Sequence, residues 1–342
     1  MRMALPSPTS LVRLTVAVAL GLATGGCWIS DALVTGGVAA SGAGPSLEKK
    51  PVLLVATTRR ATAERPWFGA QRGRGLAFAE ARLTAPDRSL TGRVASIVSG
   101  DWSLAAVEKV RSDGAANAFV DAALGRDVLL YVHGYRESFE TAAVSTAQLS
   151  SGIGFRGASA LFSWPSGGAT FDYVHDRESA LWSRDAFEDL LKALADSPSG
   201  GRVHIIAHSM GTMLTLETLR MLRGAGGETA MARIGAVVLA APDIDLDLFT
   251  RGIERLGPDA RKITVISSTN DRALGIASRL AGGVRAGGAE REKLERLEAL
   301  GVRIADASDY GGGGLGILNH DIFLANAEVQ QVVKRAIERE GG

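Results

Sequence analysis

The chain has 342 residues, 46% of them hydrophobic and 22% charged, with a formal net charge of +1. This suits one large α/β domain or two small ones with a sizeable core, and the near-neutral balance gives no reason to invoke a nucleic-acid or anionic-surface partner. The single cysteine, Cys27, excludes an intramolecular disulfide and a thiolate metal cluster.

Arg2 and Arg13 precede the apolar stretch LTVAVALGLATGG, and Cys27 follows it. A charged start, a short apolar core and small residues form the pattern of an export signal. A lone cysteine just after such a core resembles the lipid-attachment site of bacterial lipoproteins, a resemblance that implies a signal of lipoprotein type over residues 1–27 with Cys27 as the attachment point. That would place the protein on a membrane of the bacterial cell envelope. Thr24 stands where such sites commonly carry leucine, so plain export to a periplasmic or secreted location is the alternative. Residues 28–50 are rich in Gly, Ala and Ser and read as a tether. No other stretch is long and apolar enough to cross a bilayer.

Residues 51–342 are expected to form one domain. Eight apolar runs follow one another: VLLVATT, LAFAEARL, DVLLYVHG, ASALFSW, RVHIIAHS, IGAVVLAAPD, KITVISSTND and VRIADAS. Amphipathic segments such as ESALWSRDAFEDLLKALAD lie between them. Alternation of this kind predicts a mostly parallel central sheet of about eight strands with helices on both faces. The first two runs, joined by a Gly- and Arg-rich turn, are expected to pair antiparallel at the sheet edge.

In such a sheet the functional residues gather at the carboxyl ends of the strands. Those ends carry His133-Gly134-Tyr135, Ser163-Trp164-Pro165, His208-Ser209-Met210, Asp243 and Asp271, and His320 follows the last run. At VHIIAHSMGTML a strand pattern turns straight into a helix pattern, with small residues, Ala207 and Gly211, two positions either side of Ser209. This resembles the nucleophile elbow G-x-S-x-G with alanine for the first glycine.

The segments VHGY, FSWPS, AHSMG, APDID, SSTNDRAL and NHDIF together resemble the α/β-hydrolase superfamily, in particular a bacterial esterase/lipase-like branch of unknown physiological role. The resemblance implies the α/β-hydrolase fold and a serine hydrolase acting on carboxylic esters through an acyl-serine intermediate. Ser209 would be the nucleophile and His320 its base. Asp271 would orient that base, with Asp243 as the alternative acid and otherwise a helix cap. The backbone N–H groups of Met210 and Tyr135 would form the oxyanion hole. His208 is expected to project away from the serine, His204 to be buried in mid-strand, and His175 to cap or line a loop. Trp164, Tyr173 and Phe249 could line an acyl pocket or belong to the core.

Asp243, Asp245, Asp247 and Glu254 meet four places of a calcium loop, but Leu248 stands where that loop needs glycine. No metal or cofactor is implied. The glycine-rich DYGGGGLGILNH reads as a rim of the site. The short segment between Asp243 and Lys262, where many lipases insert a lid, points to small or medium acyl esters. Acyl transfer or amide cleavage by the same triad, or a non-catalytic surface-anchored binding protein on a hydrolase scaffold, are the alternatives.

Overall fold

A run such as Val128–Val132 (VLLYV) can hide every side chain only in a sheet covered on both faces. Such runs become strands throughout the computed structural model, which describes residues 51–86, 102–110, 115–167, 172–197, 200–310 and 320–341. Cys27, the tether and most of the glycine-rich segment before His320 lie outside the described residues.

The strands are β1 (Val52–Ala61), β2 (Phe68–Thr84), β3 (Ser103–Val110), β4 (Val128–Val132), β5 (Ala158–Ser163), β6 (Val203–His208), β7 (Ile234–Ala240), β8 (Ile263–Ser267) and β9 (Arg303–Asp306). They form one sheet in the order β3-β2-β1-β5-β4-β6-β7-β8-β9. β1 and β2 pair antiparallel as expected, β3 pairs antiparallel to β2, and β1 pairs parallel to β5.

The strand missing from the sequence reading is β3, which takes the sheet edge in place of the β1–β2 pair. It pairs on one side only and buries little beyond Leu104, while Glu108 and Lys109 interrupt its apolar run. An edge strand with weak alternation carries little of the signal on which strand prediction rests.

The helices are α1 (Ala115–Ala122), α2 (Phe139–Gly152), α3 (Tyr173–Trp182), α4 (Arg184–Asp196), α5 (Met210–Gly224), α6 (Glu228–Arg233), α7 (Leu246–Leu256), α8 (Arg272–Ala281), α9 (Arg291–Ala299), α10 (Ile322–Ala325) and α11 (Ala327–Glu340). Two cores flank the sheet. Leu130, Val132, Ile205 and Ala207 join the one covered by helices including α4, α5 and α7. Leu129, Tyr131 and Ile206 join the one covered by α2, α10 and α11. This division is the two-residue pleat of the strands written into packing.

β4 lies between β5 and β6, so the order of the chain reverses there. The helix after β4 leaves to one face and the helix after β6 to the other. Such a divergence opens a crevice at the carboxyl ends of the two strands. His133–Tyr135 and Ser209 stand on its two lips.

The lips touch at glycine. A Cβ on Gly211, in the first turn of α5, would lie 2.4 Å from the His133 carbonyl oxygen and 2.7 Å from that of Val132. Helix propensity alone favours Ala over Gly by about 1 kcal/mol, so the clash and the propensity have opposite signs. We expect Gly211→Ala to lose about 1–3 kcal/mol of stability, read from urea unfolding. An unchanged or raised midpoint would remove this account of the elbow.

Candidate active site

Ser209 sits between the last residue of β6 and the first of α5, with φ 49° and ψ −121°. A side-chain-bearing residue occupies this region only when its surroundings hold it there, at about 1–3 kcal/mol. Here the backbone is tied on both sides. The Ser209 N–H donates to the Ala240 carbonyl at 2.9 Å, continuing the β6–β7 ladder. Its own carbonyl accepts from the Thr212 N–H at 3.0 Å, the Thr212 hydroxyl at 2.6 Å and the Asp243 N–H at 3.3 Å. Gly134 packs against this turn, where a Cβ would meet His208 Nδ1 at 2.7 Å and Ser209 Cβ at 3.0 Å.

Ser209 and His320 line one cleft of about 370 Å³, together with Tyr135, Tyr173 and Asp243. His320 Nδ1 lies 2.7 Å from Asp271 Oδ2. The other carboxylate oxygen of Asp271 accepts from the Leu274 N–H at 3.0 Å, so Asp271 also caps α8. With Nδ1 donating to a carboxylate, the ring proton belongs there and Nε2 keeps its lone pair.

Asp243 is turned to other partners. Both its oxygens face the Tyr173 hydroxyl, at 3.1 and 3.0 Å, and Arg285 Nε lies 3.5 Å away. The cap that the sequence reading offered Asp243 is made by Asp245, which accepts from the Asp247 and Leu248 N–H groups at the start of α7. The structure thus brings Ser209 and His320 to one cleft, sets Asp271 against His320, and pairs the Asp243 carboxylate with Tyr173 and Arg285 instead.

Met210 opens α5, so its N–H is among those that the helix itself does not satisfy. Tyr135 follows Gly134 on the lip across from Ser209. Of the three aromatic candidates, Tyr173 lines the cleft, whereas Trp164 and Phe249 are fully buried in the core. Trp164 stacks on His133 with ring centroids 4.8 Å apart.

The other histidines separate clearly. His204 is buried in β6 as expected, with Nδ1 accepting from the Ala236 N–H at 3.1 Å and Nε2 3.6 Å from Asp127 Oδ2. His175 lies within α3, beside Asp176, rather than on a loop. His208 does not simply turn away. Its ring lies 4.6 Å from that of His320, and its Nε2 stands 3.3 Å from the His320 carbonyl. Sequence also missed Leu274, Ile276 and Ala277 of α8, which form an apolar wall of the cleft. Their apolar spacing is that of any amphipathic helix and carried no sign of a site.

Burial alone pulls the His320 imidazole down, but the hydrogen bond and charge of Asp271 outweigh it and raise its pKa above the ordinary 6.5. Burial holds His133 and His208 well below that value, and the charges of Arg59 and His320 respectively add to the effect. The stability contributed by the His320–Asp271 pair is fully present below the unfolded histidine pKa and is lost as pH rises through the raised folded value. Histidine NMR titration should place His320 above 6.5 in the wild type. In Asp271→Asn it should fall below the wild-type value, because the burial remains while the charge is gone. An unmoved titration would mean that Asp271 does not cause the shift.

A family model described as "Alpha/beta hydrolase of unknown function (DUF900)" matches residues 112–336. An uncharacterized protein of Nostoc sp. is 36% identical over 61 residues, covering 18% of this chain and 16% of that protein. The chain therefore spans less than a fifth of the length of that curated relative. Among solved structures, a predicted CIB-like hydrolase of Thermoplasma acidophilum is 14% identical, with 77% of this chain and 91% of that chain covered and a TM-score of 0.37. A Pyrobaculum calidifontis esterase is 14% identical, with 85% and 87% covered and a TM-score of 0.41. The catalytic core of a Trichoderma reesei acetyl xylan esterase is 12% identical, with 64% and 99% covered and a TM-score of 0.38.

Proposed function

We propose that this chain, which belongs to the DUF900 family of α/β hydrolases, is a serine hydrolase that cleaves carboxylic esters through an acyl-serine intermediate. The observation that carries the reading is the 2.7 Å contact of His320 Nδ1 with Asp271, in the cleft that also holds Ser209 on its strained turn.

Ser209 Oγ attacks the ester carbonyl while His320 Nε2 takes its proton. Asp271 keeps the other ring nitrogen protonated and stabilises the imidazolium that forms. The carbonyl oxygen, now negative, lies between the Met210 and Tyr135 N–H groups. Collapse of the tetrahedral species breaks the bond to the alcohol, which leaves with the proton from His320. Water then repeats the sequence on the acyl-serine, releasing the acid and free Ser209.

The apolar α8 wall suits an acyl chain, and the size of the cleft suits small or medium esters. Ser209→Ala is expected to remain folded and to lose about 10⁴- to 10⁶-fold in ester hydrolysis. A fluorophosphonate probe should label the wild type at Ser209 and leave the variant unlabelled. Asp271→Asn should cost far more activity than Asp243→Asn, and the reverse order would transfer the orienting role to Asp243.

We also propose that the protein is exported and held on a membrane by acyl chains on Cys27, with residues 28–50 as the tether. The support is the arginine-flanked apolar stretch that ends at this cysteine. Each buried methylene contributes about 0.8 kcal/mol, so several chains together anchor firmly. Fractionation and intact mass of the wild type and of Cys27→Ser in the native host check this. A soluble wild type that begins beyond Cys27 and carries no acyl mass would leave plain export.

A further inference from the structure

Arg59, near the end of β1, is only 2% exposed. A guanidinium is buried at low cost only where its donors are all used. Nε donates to Ser163 Oγ at 2.8 Å, and Nη1 to the carbonyls of Ser166 at 3.2 Å and Gly69 at 3.3 Å. Nη2 donates to the Glu137 carbonyl at 2.6 Å and points at His133 Nε2 at 3.4 Å. None of these acceptors is a carboxylate, so the charge is not consumed by a direct ion pair. Burial brings its pKa down to about 10, which leaves it a cation at neutral pH.

The consequence for His133 is a choice of tautomer. Three groups able to donate converge on its Nε2: the Arg59 guanidinium, the Trp164 N–H at 3.1 Å and the Ser163 hydroxyl at 3.3 Å. The Trp164 carbonyl also lies 3.0 Å from Nε2, but a proton there would face the Arg59 cation. It would also leave the Nδ1 lone pair against the Gly134 carbonyl oxygen, 2.9 Å away. With Nε2 accepting, Nδ1–H donates to that carbonyl and the donors around Nε2 face a lone pair. The Trp164 carbonyl is then the one contact left unmatched, against the cation and the other donors that the opposite tautomer would oppose.

The Gly134 carbonyl and the Tyr135 N–H belong to one planar trans peptide and point in opposite directions. Holding the carbonyl therefore aims the N–H. The next residue, Arg136, is at φ 62°, a strained position for a side-chain-bearing residue. The Arg59 bond to the Glu137 carbonyl fixes the chain just beyond it.

We propose that Arg59 is a positioning residue for the oxyanion hole: it fixes the His133 tautomer and the Glu137 carbonyl, and so presets the Gly134–Tyr135 peptide. This rests on the reading of the Tyr135 N–H as an oxyanion donor. Arg59 touches no reacting atom. It acts through His133 and through the backbone.

The test compares the wild type with Arg59→Met and Arg59→Lys, using p-nitrophenyl acetate and rates normalised to active sites titrated by a fluorophosphonate. In both variants kcat should fall about 10- to 100-fold, with KM within about threefold of the wild type. Affinity for a boronic acid, which forms a tetrahedral adduct on the serine, should fall in parallel with kcat. A loss confined to KM, or normalised rates equal to the wild type, overturns the proposal.

A second measurement needs no turnover. The ¹⁵N shifts of His133 in the wild type should show the neutral Nδ1–H form, and Arg59→Met should move the ring toward Nε2–H. The Nε2–H form in the wild type, or an unchanged ring in the variant, overturns the role of Arg59. If Arg59→Met does not fold, Arg59→Lys and the wild-type ring decide. A wild type that neither hydrolyses esters nor takes the probe ends the esterase reading, while the His133 measurement still judges the positioning role.

Discussion

Between β4 and β6 the order of the sheet reverses, and the helices after these two strands pass to opposite faces. A gap must open where they part, because no helix can cover both strand ends at once. Every residue of the proposed chemistry is placed by reference to that gap. β6 delivers Ser209 to one lip and β4 delivers the 133–137 loop to the other. β8 ends at the turn that leads to Asp271, close enough for its carboxylate to meet His320. The two glycines at the contact, Gly134 and Gly211, let the lips approach to a distance that a Cβ would forbid.

Electrostatics then distinguishes histidines that look alike in sequence. His133, His204 and His208 are each buried, and burial lowers the pKa of each. His320 is shifted the other way because a nearly inaccessible carboxylate lies against its ring. Of these four imidazoles, His320 is the one whose pKa is raised, because its carboxylate partner outweighs its burial. The neutral His133 and His208 serve instead as hydrogen-bonding parts. One bonds the Gly134 carbonyl, and the other packs against His320 and contacts its carbonyl.

Buried polarity is costly unless its partners are complete, and the network around the Arg59 cation meets that requirement. Arg59 joins β1 to the end of β5, to the turn after it and to the loop after β4. Asp176 completes the same layer by accepting from the Ser166 hydroxyl at 2.5 Å and the Gly167 N–H at 2.7 Å. Asp243, Tyr173 and Arg285 form a separate cluster, which is why a carboxylate at a strand end need not be the one that meets the base.

Local sequence was sufficient wherever the physics is local. Continuous apolar runs could be buried only as sheet-centre strands, and VHIIAHSMG could not change period at Ser209 without a sharp turn between small neighbours. Ser209 and Asp271 were therefore legible as groups just beyond strand ends, as were His133 to Tyr135, and His320 as a group that follows the last run. Tertiary structure alone decided the rest. β3 became a strand because β2 offered it an edge, not because its own residues demand one. The choice of Asp271 over Asp243 as the neighbour of His320 depends on where two distant strand ends and one returning loop meet. Arg59 reads in sequence as one of two adjacent arginines after a strand, and its partners lie up to 107 residues away. A buried cation with acceptors on three segments exists only once those segments are folded around it.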